Sequence, residues 1–191
     1  MPDQAPAPAS AAATDDQLPA TTIAVLMGVT GSGKTTIGQL LGKRTGLEFA
    51  DADDYHSESN KAKLHAGQPL TDADRQPWLE RLNQLLVDWH NAGRGGVLAC
   101  SALKDEYRTT LAQNLPAHAV RFVLLEVPRS VLQDRLAHRN HPFMSPALLD
   151  SQINTLEKPD NGEAIIIRND HDANQVVSEL IAALRNEHMP S

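Results

Sequence analysis

Glycines at 28 and 33, a lysine at 34 and a threonine at 35 fill the pattern G-x-x-x-x-G-K-[ST], directly behind the apolar run 23–26. Glycine tolerates positive φ, so a loop of this kind can turn successive N–H groups onto one anion, and the helix behind it adds the positive end of its dipole. The loop residues Gly28, Thr30, Gly31, Ser32, Gly33, Lys34, Thr35 and Thr36 are therefore read as a nucleotide-phosphate cradle. Lys34 would reach the β- and γ-phosphates, and the Thr35 hydroxyl would hold the Mg²⁺ that arrives with ATP. A flexible turn between strand and helix is the plainer alternative.

Three carboxylates, Asp51, Asp53 and Asp54, follow the second apolar run. Phosphoryl transfer to an alcohol needs a carboxylate that orients the hydroxyl and takes its proton, and Asp53 is the choice. Ending a strand or capping a helix is the competing role, more so for Asp54. Arg75, in the run "TDADRQPW", suits a bidentate grip on the carboxylate of a small acid substrate. A surface ion pair with Asp72 or Asp74 explains it equally well. Arg135 and Arg139 are four residues apart, on one helical face, and suit a cationic lid that closes over the triphosphate and excludes water. Their alternative is a solvated helix face. The histidines at 118, 138 and 141 lack ligand spacing, so no metal is assigned to them.

These groups need elements to position them. The chain has 191 residues, 41% of them hydrophobic, which suits a single domain at 21–187 behind an Ala/Pro-rich disordered tail at 1–20. No signal-peptide pattern or bilayer-length apolar stretch is present, so a cytoplasmic protein without membrane contact is expected. A net charge of −7 and no basic face argue against nucleic acid as a partner. The lone Cys100 reads as a core residue.

Apolar runs predict strands at 23–26, 47–51, 96–100, 122–127 and 164–167, with helices between them. The first helix starts at Thr35 and is capped by Gly46; a long amphipathic one carries Trp78, Leu82 and Trp89, with Pro77 in its first turn. Further helices cover 104–115, the stretch opened by a Ser130/Gln133 capping box, and one that starts at Ser145-Pro146 and carries Leu149, Gln152, Ile153 and Leu156 on one face. Val176, Val177, Leu180, Ile181 and Leu184 mark the last helix. Alternation of this kind implies a parallel sheet covered on both faces, with ligands at the carboxyl ends of the strands. The phosphate loop, the acids and "CSALK" all emerge at that edge.

Taken in order, "GVTGSGKTT", "DADDYHSESNKAKLHAGQPLTDADRQPWL", "CSALKDEYR", "HPFM" and "LLDSQINTLEKP" resemble the gluconokinase family from about Ile23 to Leu184. The resemblance implies a P-loop kinase of the nucleoside-monophosphate and shikimate kinase type, with a five-stranded parallel sheet in the order 2-3-1-4-5 and a lid at about 138–159. It implies transfer of the ATP γ-phosphate to the 6-hydroxyl of D-gluconate, for the pentose phosphate or Entner–Doudoroff route, by a homodimer. Carried over by residue, Asp53 contacts the acceptor hydroxyl, Arg75, His56, Lys104 and Arg108 line the gluconate pocket, and Arg135 and Arg139 are lid arginines. Ser57 stands where the family usually has Pro, and Leu64 where Met is common.

Shikimate and nucleoside-monophosphate kinases are the nearest rivals, separated by "DRQPW" and "CSALK" alone. A GTP switch would need N-K-x-D, which the chain lacks, and an ATP-binding regulator is opposed by Lys34, Thr35, Asp53 and the arginines. By analogy, 168–172 is the candidate region for adenine.

Overall fold

Ile23 to Met27 contains no polar side chain, and every residue of it is buried, as a strand covered on both faces must be. The computed structural model describes residues 16–138, 146–160 and 162–186. Five strands, β1 (Ile23–Met27), β2 (Glu48–Asp51), β3 (Gly96–Ala99), β4 (Val120–Glu126) and β5 (Ile165–Arg168), form one parallel sheet in the order β2-β3-β1-β4-β5. In the central register Val25 lies between Leu98 and Phe122. The helices are α1 (Lys34–Thr45), α2 (Glu58–His65), α3 (Asp72–Asn91), α4 (Asp105–Leu111), α5 (Arg129–Ala137), α6 (Pro146–Thr155) and α7 (Ala173–Asn186).

Alternation along β1 divides the core. Ile23, Val25 and Met27 pack with Leu79, Leu82, Leu86 and Trp89 of α3, while Ala24 and Leu26 pack with Ile37 and Leu41 of α1 and the apolar stripe of α7. A smaller cluster of Val29, Leu103, Leu132 and Leu149 lies under the loops at the carboxyl edge of the sheet. Cys100 is fully buried, and its thiol is pushed up to about 12 by desolvation.

Several boundaries differ from the expectation for identifiable reasons. The long helix α3 begins five residues before Pro77, because Thr71 and Asp74 form a reciprocal capping box. Pro77 therefore sits inside the helix, where it denies Ala73 a backbone partner. Ser130 and Gln133 do not form a box: Pro128 occupies the cap of α5, with φ −57, and makes no side-chain cap bond. Helix α4 stops at Leu111, and the chain soon reverses through Asn114 at φ 61. Helix α2 and the short 3-10 turn at Ala52–Tyr55 had no apolar stripe to announce them; Asn60 is the one buried residue of α2. At Ser57 the departure from Pro supplies that helix with its cap, since the hydroxyl accepts the Asn60 N–H at 3.2 Å. Ser145 lies outside the described residues.

Of the expected tail, 1–15 lie outside the described residues, whereas 16–20 are attached to the body. Arg44 Nε donates to Asp16 Oδ2 at 3.0 Å, Arg185 Nε donates to the Gln17 carbonyl at 2.9 Å, and Leu18 packs on the α1/α7 core.

Gly96 opens β3 beneath the Trp89 ring, and a Cβ placed there would meet ring carbons at 2.5 Å. Gly96→Ala is expected to cost about 1–3 kcal/mol through overpacking. Urea denaturation reads this as a lower midpoint with an unchanged slope; an unshifted midpoint would contradict the packing described.

Candidate active site

The phosphate loop runs from the end of β1 into α1 with Gly28, Gly31 and Gly33 at φ 138, 78 and 91. Gly33 is the tightest position, because a Cβ there would stand 2.5 Å from Asn169 Nδ2. That amide donates to the Ser32 carbonyl at 2.7 Å, so the residue after β5 braces the loop from behind. Gly28 N–H donates to the Ser101 carbonyl at 3.2 Å, which ties the front of the loop to the segment after β3. Lys34 Nζ lies across the loop, donating to the Gly28 and Val29 carbonyls at 2.9 and 3.0 Å. Arg135 reaches in from α5, with donors to the Gly31 carbonyl at 3.3 Å and the Asn169 carbonyl at 2.8 Å. The loop, the α1 N-terminus and two cations thus come together at one place, an arrangement suited to an anion.

Thr35 Oγ1 donates to Asp51 Oδ2 at 2.8 Å, and the other oxygen of Asp51 accepts the Asp53 N–H at 3.1 Å. A hydroxyl and a carboxylate side by side are hard oxygen donors, suited to Mg²⁺, which takes one or two protein oxygens and completes its octahedron with water and phosphate. Sequence reasoning nominated Thr35 and passed over Asp51. The acidic end of β2 was visible, but its pairing with a residue 16 positions earlier was not.

Asp53 stands on the 3-10 turn with its side chain 89% exposed, and His56 Nε2 lies 4.0 Å from its Oδ1. Its carboxyl titrates above the ordinary carboxylate range. Partial desolvation is the main cause, the Asp51 charge adds to it, and Lys34 opposes both. His56 is buried and stacks on Trp78, with ring centroids 4.5 Å apart. Burial, then the charges of Arg75 and Lys61, holds its pKa below the usual imidazole value, so it is neutral at pH 7. The Trp78 indole is itself fixed by donation to the Ala52 carbonyl at 2.7 Å.

Beyond His56, α3 and α4 bring Arg75, Lys104 and Tyr107 around one carboxylate, that of Asp72. Lys104 Nζ donates to it at 2.7 Å, Arg75 at 3.4 Å, and the Tyr107 hydroxyl makes a short bond to it. Arg75 also lies over the Tyr107 ring and donates to its oxygen at 3.4 Å. The ion pair with Asp72 is therefore real, and the same trio demonstrably holds a carboxylate. Tyr107 was missed in the sequence, its only signal being its place in "KDEYR". Arg108 does not join them: it is buried, with its guanidinium on the carbonyls of Ala102 and Glu157 at 3.3 and 3.1 Å.

On the other side of the loop a cavity of about 390 Å³ is lined by Gly33, Thr36, Arg135, Asn169 and His171 among others. It includes part of the region expected to meet adenine. Arg139 and the "HPFM" residues lie outside the described residues. No described helix is long and apolar enough to cross a membrane.

Residues 30–185 match the shikimate kinase family. The gluconokinase of Gluconobacter oxydans is 42% identical over 165 residues, spanning 85% of this chain and 91% of its own length. The thermosensitive gluconokinase of Escherichia coli is 40% identical over 157 residues, spanning 81% and 83%. Among solved structures, a gluconokinase from Sinorhizobium meliloti superposes with a TM-score of 0.79 at 34% identity, covering 88% of this chain and 94% of that one.

Because folding raises the Asp53 pKa, the folded chain binds a proton there more readily than the unfolded chain. Stability from this site is greatest below the unfolded value of about 3.9, falls as pH rises through the folded value, and stays reduced above it. Asp53→Asn should therefore raise Tm at pH 7.5, with the gap narrowing toward pH 4, while cutting turnover by orders of magnitude and leaving ATP affinity near that of the parent. A lower Tm at pH 7.5 would refute the electrostatic reading, and near-parental turnover would remove Asp53 from the chemistry.

Proposed function

This chain belongs to the gluconokinase family, and from that membership we propose that it transfers the γ-phosphoryl group of ATP to the 6-hydroxyl of D-gluconate, giving 6-phospho-D-gluconate and ADP. One observation carries the residue assignment: a phosphate cradle, an exposed carboxylate of raised pKa and a trio that holds a carboxylate lie along the same edge of the sheet. His56 links these parts, its Nε2 4.0 Å from Asp53 Oδ1 and its ring stacked on Trp78 of α3, the helix that also carries Arg75.

In this reading the loop amides with Lys34 and Arg135 hold the triphosphate, and Arg139 is assigned to join them; of the lid expected at about 138–159, the stretch from Leu149 to Glu157 is instead packed and hydrogen-bonded against the phosphate loop and the segment after β3. Thr35 and Asp51 would hold Mg²⁺, which would supply positive charge to offset that of the transferred phosphoryl group. Asp53 accepts a hydrogen bond from the acceptor hydroxyl, fixes it in line with the γ-phosphorus and takes its proton. A carboxylate of raised pKa is a better proton acceptor than an ordinary one, provided the pH keeps it ionised. Arg75, Lys104 and Tyr107 grip the far carboxylate of gluconate, and His56 lies between the two ends. Arg108 supports this wall of the pocket from behind. The cavity beside Asn169 and His171 takes the nucleoside. We further read the enzyme as a cytoplasmic homodimer whose product enters the pentose phosphate or Entner–Doudoroff route.

ADP release with Mg-ATP should respond to D-gluconate and not to shikimate, AMP, glucose or water alone. Turnover with shikimate in place of gluconate would shift the reading to the kinase whose family the chain also matches. Lys34→Ala should impair phosphate binding and transfer together. Arg75→Ala should raise KM for gluconate by about 10- to 100-fold, the loss of a charge-assisted bond of roughly 1.5–3 kcal/mol, with a smaller effect on KM for ATP. An unchanged gluconate KM would detach Arg75 from the pocket.

A further inference from the structure

The stripe at Leu149, Gln152 and Ile153 on α6, continued by Leu156 just past its end, has one polar member. Leu149 is 1% exposed and, with Ile153 and Leu156, packs on Val29, Leu103 and Leu132. Gln152 lies on the same inward face, and its Oε1 accepts the backbone N–H of Thr30, in the middle of the phosphate loop, at 2.6 Å. On either side of Thr30, Val29 is in the apolar cluster and the Gly31 carbonyl takes Arg135.

A second anchor follows just past the C-terminus of α6. Glu157 N–H donates to the Leu103 carbonyl at 2.8 Å, Glu157 Oε2 accepts the Asp105 N–H at 2.6 Å, and the Glu157 carbonyl accepts from Arg108 at 3.1 Å. Those contacts frame Lys104 and Tyr107, two of the three groups around the carboxylate. The last turn of α6 and the two residues after it therefore join the phosphate loop to the segment that bears Lys104 and Tyr107, through Gln152 on one side and, five residues on, Glu157 with Arg108 on the other. In-line transfer requires the reacting oxygen and phosphorus about 3–3.5 Å apart, and an error of ~1 Å costs on the order of 100-fold.

We propose that Gln152 is a positioning residue that fixes the phosphate loop against α6 and so sets the distance between the transferable phosphate and the acceptor hydroxyl. The inference rests on the gluconate kinase reading. A neutral amide suits this role: it accepts the Thr30 N–H without bringing negative charge beside the triphosphate, as a carboxylate would. A leucine or methionine would complete the apolar stripe but leave the loop amide unheld, which gives a function to the polar residue in this stripe.

The experiment compares Gln152→Met, which keeps the stripe packed but removes the acceptor, with Gln152→Glu, which keeps an acceptor oxygen, and with Glu157→Ala at the second anchor. For Gln152→Met, kcat with gluconate is expected to fall about 10- to 100-fold, while ADP affinity stays close to that of the parent and amide exchange of the 28–33 segment quickens. Gln152→Glu should retain slow exchange of that segment. Glu157→Ala, at an exposed site, should raise KM for gluconate with loop exchange unaltered. A Gln152→Met protein with parental kcat overturns the proposal, as does one whose sole defect is a lowered Tm. Turnover of the parent with gluconate is measured alongside. If the parent fails to use gluconate, the acceptor reading falls, and loop exchange alone decides the matter: unaltered exchange in Gln152→Met overturns the positioning role.

Discussion

The absence of a side chain at Gly33 governs the site. Only there can the Asn169 amide come close enough to hold the Ser32 carbonyl while the chain takes φ 91 at the start of α1. The contact joins residues 137 positions apart. It makes the phosphate loop a braced structure in which β5 and the turn behind it are as necessary as the glycines. Arg135 reinforces the bracing by bonding both sides of it, the Gly31 and Asn169 carbonyls. A loop held this firmly can aim several N–H groups at one anion with little reorganisation when charge develops during transfer.

The acidic side of the site works against stability. Asp51, Asp53 and Asp54 crowd the end of β2, and Asp53 stands where desolvation and the Asp51 charge disfavour its ionised form. Asp51 is better off, since the Thr35 hydroxyl and the Asp53 N–H both donate to it. Adjacent carboxylates therefore have different environments, one satisfied locally and one left to meet an incoming hydroxyl. That division follows from the 3-10 turn at Ala52–Tyr55, which folds the Asp53 amide back onto Asp51 and leaves the Asp53 side chain outside.

Much of this was legible in the sequence because it depends on local pattern. Buried strands read as apolar runs, α1 and α7 as stripes, and the phosphate loop as a motif with the strand and helix it needs. What escaped was either local without a periodic signal or distant in sequence. Helix α2 buries one asparagine, so nothing in hydropathy marks it. Pro77 was placed in a first turn because proline is tolerated there, yet the Thr71/Asp74 box moved the start upstream and left the proline inside. Asn169, Gln152 and Asp51 act on the phosphate loop from 137, 122 and 16 residues away, pairings that no single-sequence periodicity contains. Arg108 shows the opposite failure: its motif was recognised, but the direction of its side chain depends on the Glu157 carbonyl across the fold.

Arg75 shows why two readings of a charged residue need not compete. The sequence left it equally an ion pair on the surface and a fork for a substrate carboxylate, and the structure places it in an ion pair. Lone arginine on a surface would lose side-chain entropy on binding an acid. Here Asp72, at the first position of α3, draws Arg75, Lys104 and the Tyr107 hydroxyl to one point, and the Tyr107 ring lies under both cations. The ion pair thus fixes both cations and the hydroxyl in place, so under the proposed function little side-chain entropy would be lost when they meet a second carboxylate.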